Sequence, residues 1–385
     1  MRIFLTVLLL FLVVSGWLVY RYYPTLYGII PDTSNTPKLS DLASVPPAGQ
    51  NQDLPAEVII AEGLDTPWAI AFLPDGNLII TERGGEISII NKRGEKEVIG
   101  KVNDSKEISE GGLLGLTLHP DFNANNYVYY YYTYASDGNQ TLNKVVRAKL
   151  TENKLGAEEL VIDKIPGAPF HNGGRILFGP DGFLYITTGD ANNPSLSQDI
   201  DSLAGKILRV TGDGKPAPLN SLRNMVFSYG HRNPQGIAWD SAGRLWETEH
   251  GPSGGSLGTG NDEVNSIENG LNYGWPLIQG DQTSHSMIPP VRSSTPSVAW
   301  APGGTAVIGN QLFFSGLRGQ ALYRADISGT GLGEVRELVK GKYGRIREVI
   351  AGPDGMLYIT TSNRDGRGLP NENDDRIIRL NPSKI

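Results

Sequence analysis

Along most of the chain the apolar residues fall in short β-rich runs, each standing behind a turn rich in Asp and Gly. The clearest copies are Pro74-Asp75-Gly76 before Leu78-Ile79-Ile80-Thr81, Pro180-Asp181-Gly182 before Leu184-Tyr185-Ile186-Thr187, and Pro353-Asp354-Gly355 before Leu357-Tyr358-Ile359-Thr360. A looser copy is Ser241-Ala242-Gly243 before Leu245-Trp246-Glu247-Thr248, and weaker ones start at Pro120-Asp121-Phe122 and Gly309-Asn310-Gln311. Six units fit, at a spacing of roughly 56 residues, the length of one four-stranded blade with long loops. The pattern predicts an all-β, six-bladed β-propeller over residues 57–385. A β-sandwich needs no repeat of this length, a β-helix has a far shorter one, and no segment of the body sustains a 3.6-residue period.

Two segments precede that body. Ile3 to Tyr20 is apolar apart from the weakly polar Thr6, Ser15 and Gly16, is flanked by Arg2 and Arg21, and ends among Trp17, Tyr20, Tyr22 and Tyr23. Its length is near the minimum for a membrane span, and its aromatic end suits a membrane interface better than a signal-peptide cleavage site. Residues 1–22 are therefore expected to be a membrane-spanning anchor or signal segment. Residues 23–56, with Pro31, Pro37, Pro46, Pro47 and Pro55 among polar residues, read as an extended linker. The body lacks further spans, so the expected location is extracytoplasmic, periplasmic or cell-surface, with membrane contact through the N-terminal segment only.

Composition narrows the chemistry. A formal charge of −7 argues against nucleic acid as a partner. The 48 Gly and 25 Pro fit a turn-rich fold, and the absence of Cys removes disulfides, thiolate metal sites and cysteine nucleophiles. Reactivity must come from oxygen and nitrogen groups or from a bound cofactor.

If the repeats are equivalent strands, the residues six to eight places after each Gly gather on one rim. These are Glu82 and Arg83, Asp190, Glu249 and His250, and Asn363. Arg345 and Arg347 stand two apart, so in a strand both point to one face. Their charges repel unless an anionic ligand or the protein's own acids lie between them. His171, in His171-Asn172-Gly173-Gly174-Arg175, precedes the repeat strand that ends near Asp190, a pairing suited to a general base held by a carboxylate. Tyr229 to Gly236 packs several hydrogen-bonding side chains into one Gly-bounded loop. The Gly251-Pro252 pair offers backbone carbonyls of the kind a hard cation takes.

Taken together, these segments resemble the soluble glucose and aldose sugar dehydrogenases that depend on pyrroloquinoline quinone, a family of six-bladed propellers. The likeness runs over roughly residues 57 to 382. It rests on Gly111-Gly112-Leu113-Leu114-Gly115-Leu116 with His119-Pro120-Asp121-Phe122, on His171 to Arg175, on Gly230 to Gly236, on Glu249-His250-Gly251-Pro252, on Asn272-Tyr273-Gly274-Trp275-Pro276 and on Arg345-Ile346-Arg347. The aldose sugar dehydrogenase branch looks nearer, because His250 stands where the glucose enzymes have Gln.

The resemblance implies that His171 takes the proton of the sugar C1 hydroxyl while hydride passes to the quinone, with Asp190 orienting His171. It implies Arg232 and Asn233 beside the quinone, His250 and Arg318 on the cofactor wall, and Arg345 and Arg347 on its three carboxylates. The carbonyls of Gly251 and Pro252 would bind calcium (Ca2+). Glu110 stands where the glucose enzymes place a substrate-touching Gln, so the sugar preference does not transfer. Trp300 is placed either to stack on the quinone or sugar, or to fill a gap between blades. The implied activity is oxidation of aldoses to lactones, with electrons passed to an external acceptor. The rivals are a cofactor-free propeller that binds sugar or protein, which needs no base and no converging cations, and a calcium-dependent lactone hydrolase, which would want acids around the metal.

Overall fold

Each Asp–Gly repeat closes the hairpin between the first and second strands of a blade. In the first, Asp75 accepts the Asn77 N–H through its side chain while Gly76 takes φ +84°, and the same side-chain turn recurs at Asp181 and Asp354 with Gly182 and Gly355 at φ +77° and +74°. The computed structural model describes residues 54–252 and 260–385. The expected anchor over 1–22 and nearly all of the linker over 23–56 lie outside the described residues. Among the described residues no helix is long and apolar enough to cross a membrane.

Six antiparallel sheets follow in chain order. Their first strands are Pro67–Phe72, Leu113–Leu118, Ile176–Phe178, Pro234–Trp239, Pro302–Ile308 and Ile346–Ala351. The sheets they begin are blades 1 to 6, and the six-bladed propeller read from the repeats is the fold found. Blade 6 draws its outer strand, Glu57–Ala61, from the start of the body, pairing Glu57 with Leu380 and Ile59 with Ile378. That pairing joins the two ends of the ring.

The repeat motif also explains how neighbouring blades are fastened. The second strands Leu78–Glu82, Leu184–Thr188, Leu245–Glu249 and Leu357–Thr361 are buried along their whole length. Any polar side chain there needs a partner. In four of the blades the hydroxyl at the fourth position of the motif finds it in the next blade's first strand. Thr81 donates to Leu114 O at 2.6 Å, Thr248 to Gly303 O at 3.2 Å, Ser315 to Arg347 O at 2.8 Å and Thr360 to Pro67 O at 3.0 Å. Thr81 and Thr360 also accept an N–H at the bulge of their own first strand, from Ala69 and Glu348. One hydroxyl thus fixes a bulge and a blade contact together.

The ring's centre is crossed by charge. Arg175, at the start of blade 3, pairs with Glu348 of the opposite blade 6, donates to Gln235 O of blade 4 at 3.0 Å, and lies 4.4 Å over the Trp68 ring of blade 1. Both partners are buried. Glu348→Gln would leave the Arg175 guanidinium without its counter-charge, and a loss of about 3–5 kcal/mol is expected. Chemical denaturation of the variant measures it.

Candidate active site

The buried second strands deliver their C-terminal ends to one face of the ring, where the loops that follow surround a cavity of about 640 Å³. That size falls in the usual range for small-molecule sites, ~300–1,000 Å³. Five guanidinium groups line it, from Arg232, Arg318, Arg345, Arg347 and Arg367, together with His171, Asn233, His250 and Glu110.

His171 stands on the loop between blades 2 and 3 in a left-handed conformation, φ 60°. Its Nδ1 meets Asp190 Oδ1 at 2.8 Å. Asp190 is fully buried, and its second oxygen accepts the Trp275 Nε1–H at 2.9 Å. A carboxylate so placed accepts a hydrogen bond from Nδ1–H and favours the tautomer whose Nε2 carries the lone pair. The main chain of His171 is held as well: its N–H donates to Glu110 Oε2 at 3.2 Å, and its carbonyl accepts the Ala191 N–H at 3.2 Å.

The charges of the cup do not balance internally. Asp365 pairs with Arg345 through Nε and Nη2 at 3.0 and 2.8 Å, and Glu110 pairs with Arg367 at 2.7 Å. Burial pushes the Asp365 carboxyl up, but Arg345 and Arg347 beside it hold it below the usual carboxylate range. Arg232, Arg318 and Arg347 make no ion pair among the described residues. Arg347 reaches only an amide oxygen, Gln235 Oε1 at 3.0 Å, and its Nε is buried without a partner. Burial, with Arg345 and Arg83 nearby, pushes Arg347 down to about 10. Asn233 accepts the Gly173 N–H at 3.0 Å while its Nδ2 is likewise buried and unpaired. Buried donors without acceptors are costly, and both residues line the cavity.

The remaining wall is neutral or acidic. Burial pushes His250 down to about 3, so its ring is uncharged at neutral pH, and it meets Pro302 O at 2.9 Å. Gly251 and Pro252 line a small cleft beside Arg232 and His250, and Asp262 accepts the Gly251 N–H at 2.9 Å. Behind them Glu249 accepts the backbone N–H groups of Arg232 and Asn233 at 2.7 and 3.3 Å, setting the loop that carries both. Asn265 Nδ2 lies between Glu247, Glu249 and Glu263 at 3.0, 3.4 and 3.4 Å. Burial and the neighbouring Glu249 raise both Glu247 and Glu263 well above the usual range. His231, Glu247 and Glu249 bring possible metal-ligand atoms within 4.8 Å of one another, although His231 and Glu249 already bond each other at 3.1 Å.

The structure thus gathers His171, Arg232, Asn233, His250, Arg318, Arg345, Arg347 and Glu110 on one cavity, with Asp190 directly behind His171. Trp300 is a correction. Its indole does not line the cavity but packs on Phe314 and Tyr323 at 5.2 and 5.6 Å, in the apolar layer between blades 4 and 5. Only its neighbour Ala301 reaches the wall. The same-face repulsion of Arg345 and Arg347 is answered for Arg345 by Asp365, and it persists at Arg347. Sequence reasoning missed Trp68, Gln235 and Arg367. The signal for Arg367 was present, since it follows the last repeat's rim residue, Asn363, in a charged, Gly-rich run.

Comparison with known proteins supplies independent findings. Residues 64–374 match the family model for glucose/sorbosone dehydrogenase. The chain is 32% identical over 345 residues to the aldose sugar dehydrogenase YliI of Escherichia coli K12, covering 81% of this chain and 91% of that one. It is 32% identical over 256 residues to quinoprotein glucose dehydrogenase B of Acinetobacter calcoaceticus, covering 58% and 52%. Among solved structures, the PQQ-bound form of aldose sugar dehydrogenase from Streptomyces coelicolor is similar with a TM-score of 0.78 at 40% identity, covering 85% of this chain and 98% of that one.

The unbalanced cup has a measurable consequence. Arg347→Met removes a buried charge that lacks an acid, so the unliganded variant is expected to be no less stable than the parent. Thermal melts with and without a polycarboxylate then separate the two effects: the ligand raises the melting temperature of the parent more than that of the variant.

Proposed function

The chain belongs to the glucose/sorbosone dehydrogenase family, and from that premise we propose that it is a quinoprotein aldose sugar dehydrogenase, oxidising the C1 hydroxyl of aldoses to lactones with pyrroloquinoline quinone. The observation that carries this reading is the cup in which three guanidinium groups lack an acid and two buried donors, Arg347 Nε and Asn233 Nδ2, lack acceptors, all around His171. A rigid tricarboxylate with ring heteroatoms fits that donor set. A binding module for neutral sugars has no use for it.

Arg345 and Arg347 would hold carboxylates, Arg318 would add a charge at the mouth, and Arg232 with Asn233 would face the ring system. Neutral His250 contributes shape and polarity without further positive charge. The Gly251 and Pro252 carbonyls would hold calcium, on the side of the wall where the carboxylates of blade 4 lower the cost of a cation. When bound, the quinone supplies a two-electron hydride acceptor and calcium a Lewis acid.

The protein's own part is proton transfer and orientation. Asp190 takes the Nδ1–H of His171, so Nε2 accepts the proton of the C1 hydroxyl as the C1 hydride departs. Loss of one proton and one hydride from the cyclic aldose gives the lactone. Trp275 holds Asp190 from behind and keeps the pair in register. An acceptor outside the protein would take the two electrons, and the apolar run near the N-terminus would place the enzyme outside the cytoplasm as an exported or anchored protein.

Reconstitution with pyrroloquinoline quinone and calcium, followed by dye reduction with a panel of aldoses, is expected to give turnover that a calcium chelator abolishes. His171→Ala should cut kcat by roughly 10²-fold or more, the scale of a lost general base, with cofactor affinity retained. Failure of the parent protein both to bind the quinone and to oxidise any aldose would reject the proposal.

A further inference from the structure

Glu110 lines the cavity, yet both of its oxygens are already engaged. Oε1 takes Arg367 Nη1 at 2.7 Å, and Oε2 takes the backbone N–H of His171 at 3.2 Å. Its own N–H donates to Pro169 O at 2.9 Å, so Glu110 grips the Pro169–His171 turn at two points. The grip matters because His171 is held in the left-handed region, which a residue with a Cβ adopts only when its surroundings enforce it.

Arg367 reaches Glu110 from blade 6, past the neighbouring blade 1. It belongs to the loop after the last repeat, and its N–H donates to Asp365 Oδ1 at 2.9 Å. Asp365 is the acid that pairs with Arg345. The Arg367 guanidinium also lies 5.5 Å over the Phe170 ring, next to His171. A contact path therefore runs from the arginine wall through Asp365 and Arg367 to Glu110 and the His171 backbone. The side chains of Arg367 and Glu110 are 47% and 22% exposed, and ion pairs so open to water add little to stability. The effect of this pair is on position.

We propose that Arg367 is a positioning residue which, by fixing the Glu110 carboxylate, holds the backbone of His171 so that its imidazole is aimed into the cavity. The inference rests on the reading of His171 as the base, and it adds a residue that acts through another side chain rather than on the reacting atoms. Burial would push the Glu110 carboxyl up; His250, Arg367 and the His171 N–H bring it down to about 2, and Arg232 and Arg347 also face it. His250 is neutral above its own low pKa, which leaves Arg367 as the charge in direct contact. Without it the carboxyl rises, and its protonation in acid loosens the grip.

Two measurements test this. In the reconstituted enzyme, Arg367→Gln should lower kcat about tenfold or more, with the aldose KM, the cofactor Kd and the melting temperature nearly unchanged. Its kcat should also fall more steeply than the parent's as the solution is made acidic, and Arg367→Lys should restore most of the loss. In the protein without cofactor, hydrogen exchange over the peptide containing His171 should quicken in Arg367→Gln and in Glu110→Ala. Unchanged exchange overturns the proposal whatever the enzyme does. Faster exchange in the variants, together with a parent that oxidises no aldose, keeps the clamp and removes the functional reading instead. A rise in KM alone would make Arg367 a substrate contact, and a joint fall of kcat, cofactor affinity and melting temperature would make it structural; either result rejects a positioning role.

Discussion

An excess of buried positive charge governs the functional face of this propeller. Taking a guanidinium out of water is expensive unless an acid meets it, and proteins ordinarily supply one. Here the supply is selective. Arg345 receives Asp365, Arg175 receives Glu348 and Arg367 receives Glu110, while Arg232 and Arg347 stay buried with a carbonyl or amide oxygen and an indole ring, and no ion pair, as partners. The surrounding ring carries this cost through its interblade packing, because each arginine is seated on a strand or loop that neighbouring blades hold from both sides. Such a cup is complementary to an anion that the chain itself does not provide.

The same ring explains why a short motif fixes so much. At Thr81 and Thr360 the fourth residue of the repeat is a small hydroxyl in a fully buried strand with two backbone partners, a bulged N–H behind and a carbonyl ahead. Ser315 ends on the carbonyl of Arg347 itself, so the stitch between blades 5 and 6 also sets the backbone from which that arginine projects. Further along the same strands come the rim residues, and local turn chemistry thereby becomes the placement of Asp190, Glu249 and His250 around one axis.

What could be read from the chain follows from this geometry. The number of blades, the shared rim and the cluster around His171 were legible because they depend on a repeat and on spacing within a strand. The pairing of Arg345 with Asp365 and the clamp of Arg367 on Glu110 were not, since ring closure brings together loops from opposite ends of the chain. The Arg175–Glu348 pair across the axis was hidden for the same reason. Trp300 shows the opposite limit. A large aromatic beside a Gly-rich segment suits a ligand wall and a gap between blades equally well, and the side of the strand on which it falls decides the matter only once Phe314 and Tyr323 are in place.

Charge on this face is also layered. The arginines from blades 5 and 6 and the closing loop form one wall, whereas the Gly251-Pro252 turn of blade 4 stands over acids, the buried Glu249 and the half-buried Glu263 among them, with Asp262 bracing its backbone. Glu247 and Glu263 are raised because these acids sit together away from water, a state that a nearby cation would relieve. A ligand spanning the cavity therefore meets two distinct demands: negative charge toward Arg345 and Arg347, and tolerance of a cation toward blade 4. A simple dicarboxylate satisfies the first alone. On the proposed function, a multiply carboxylated ring system bound together with a cation would satisfy both, and this joint demand, more than any single arginine, would set the site apart from a general anion pocket.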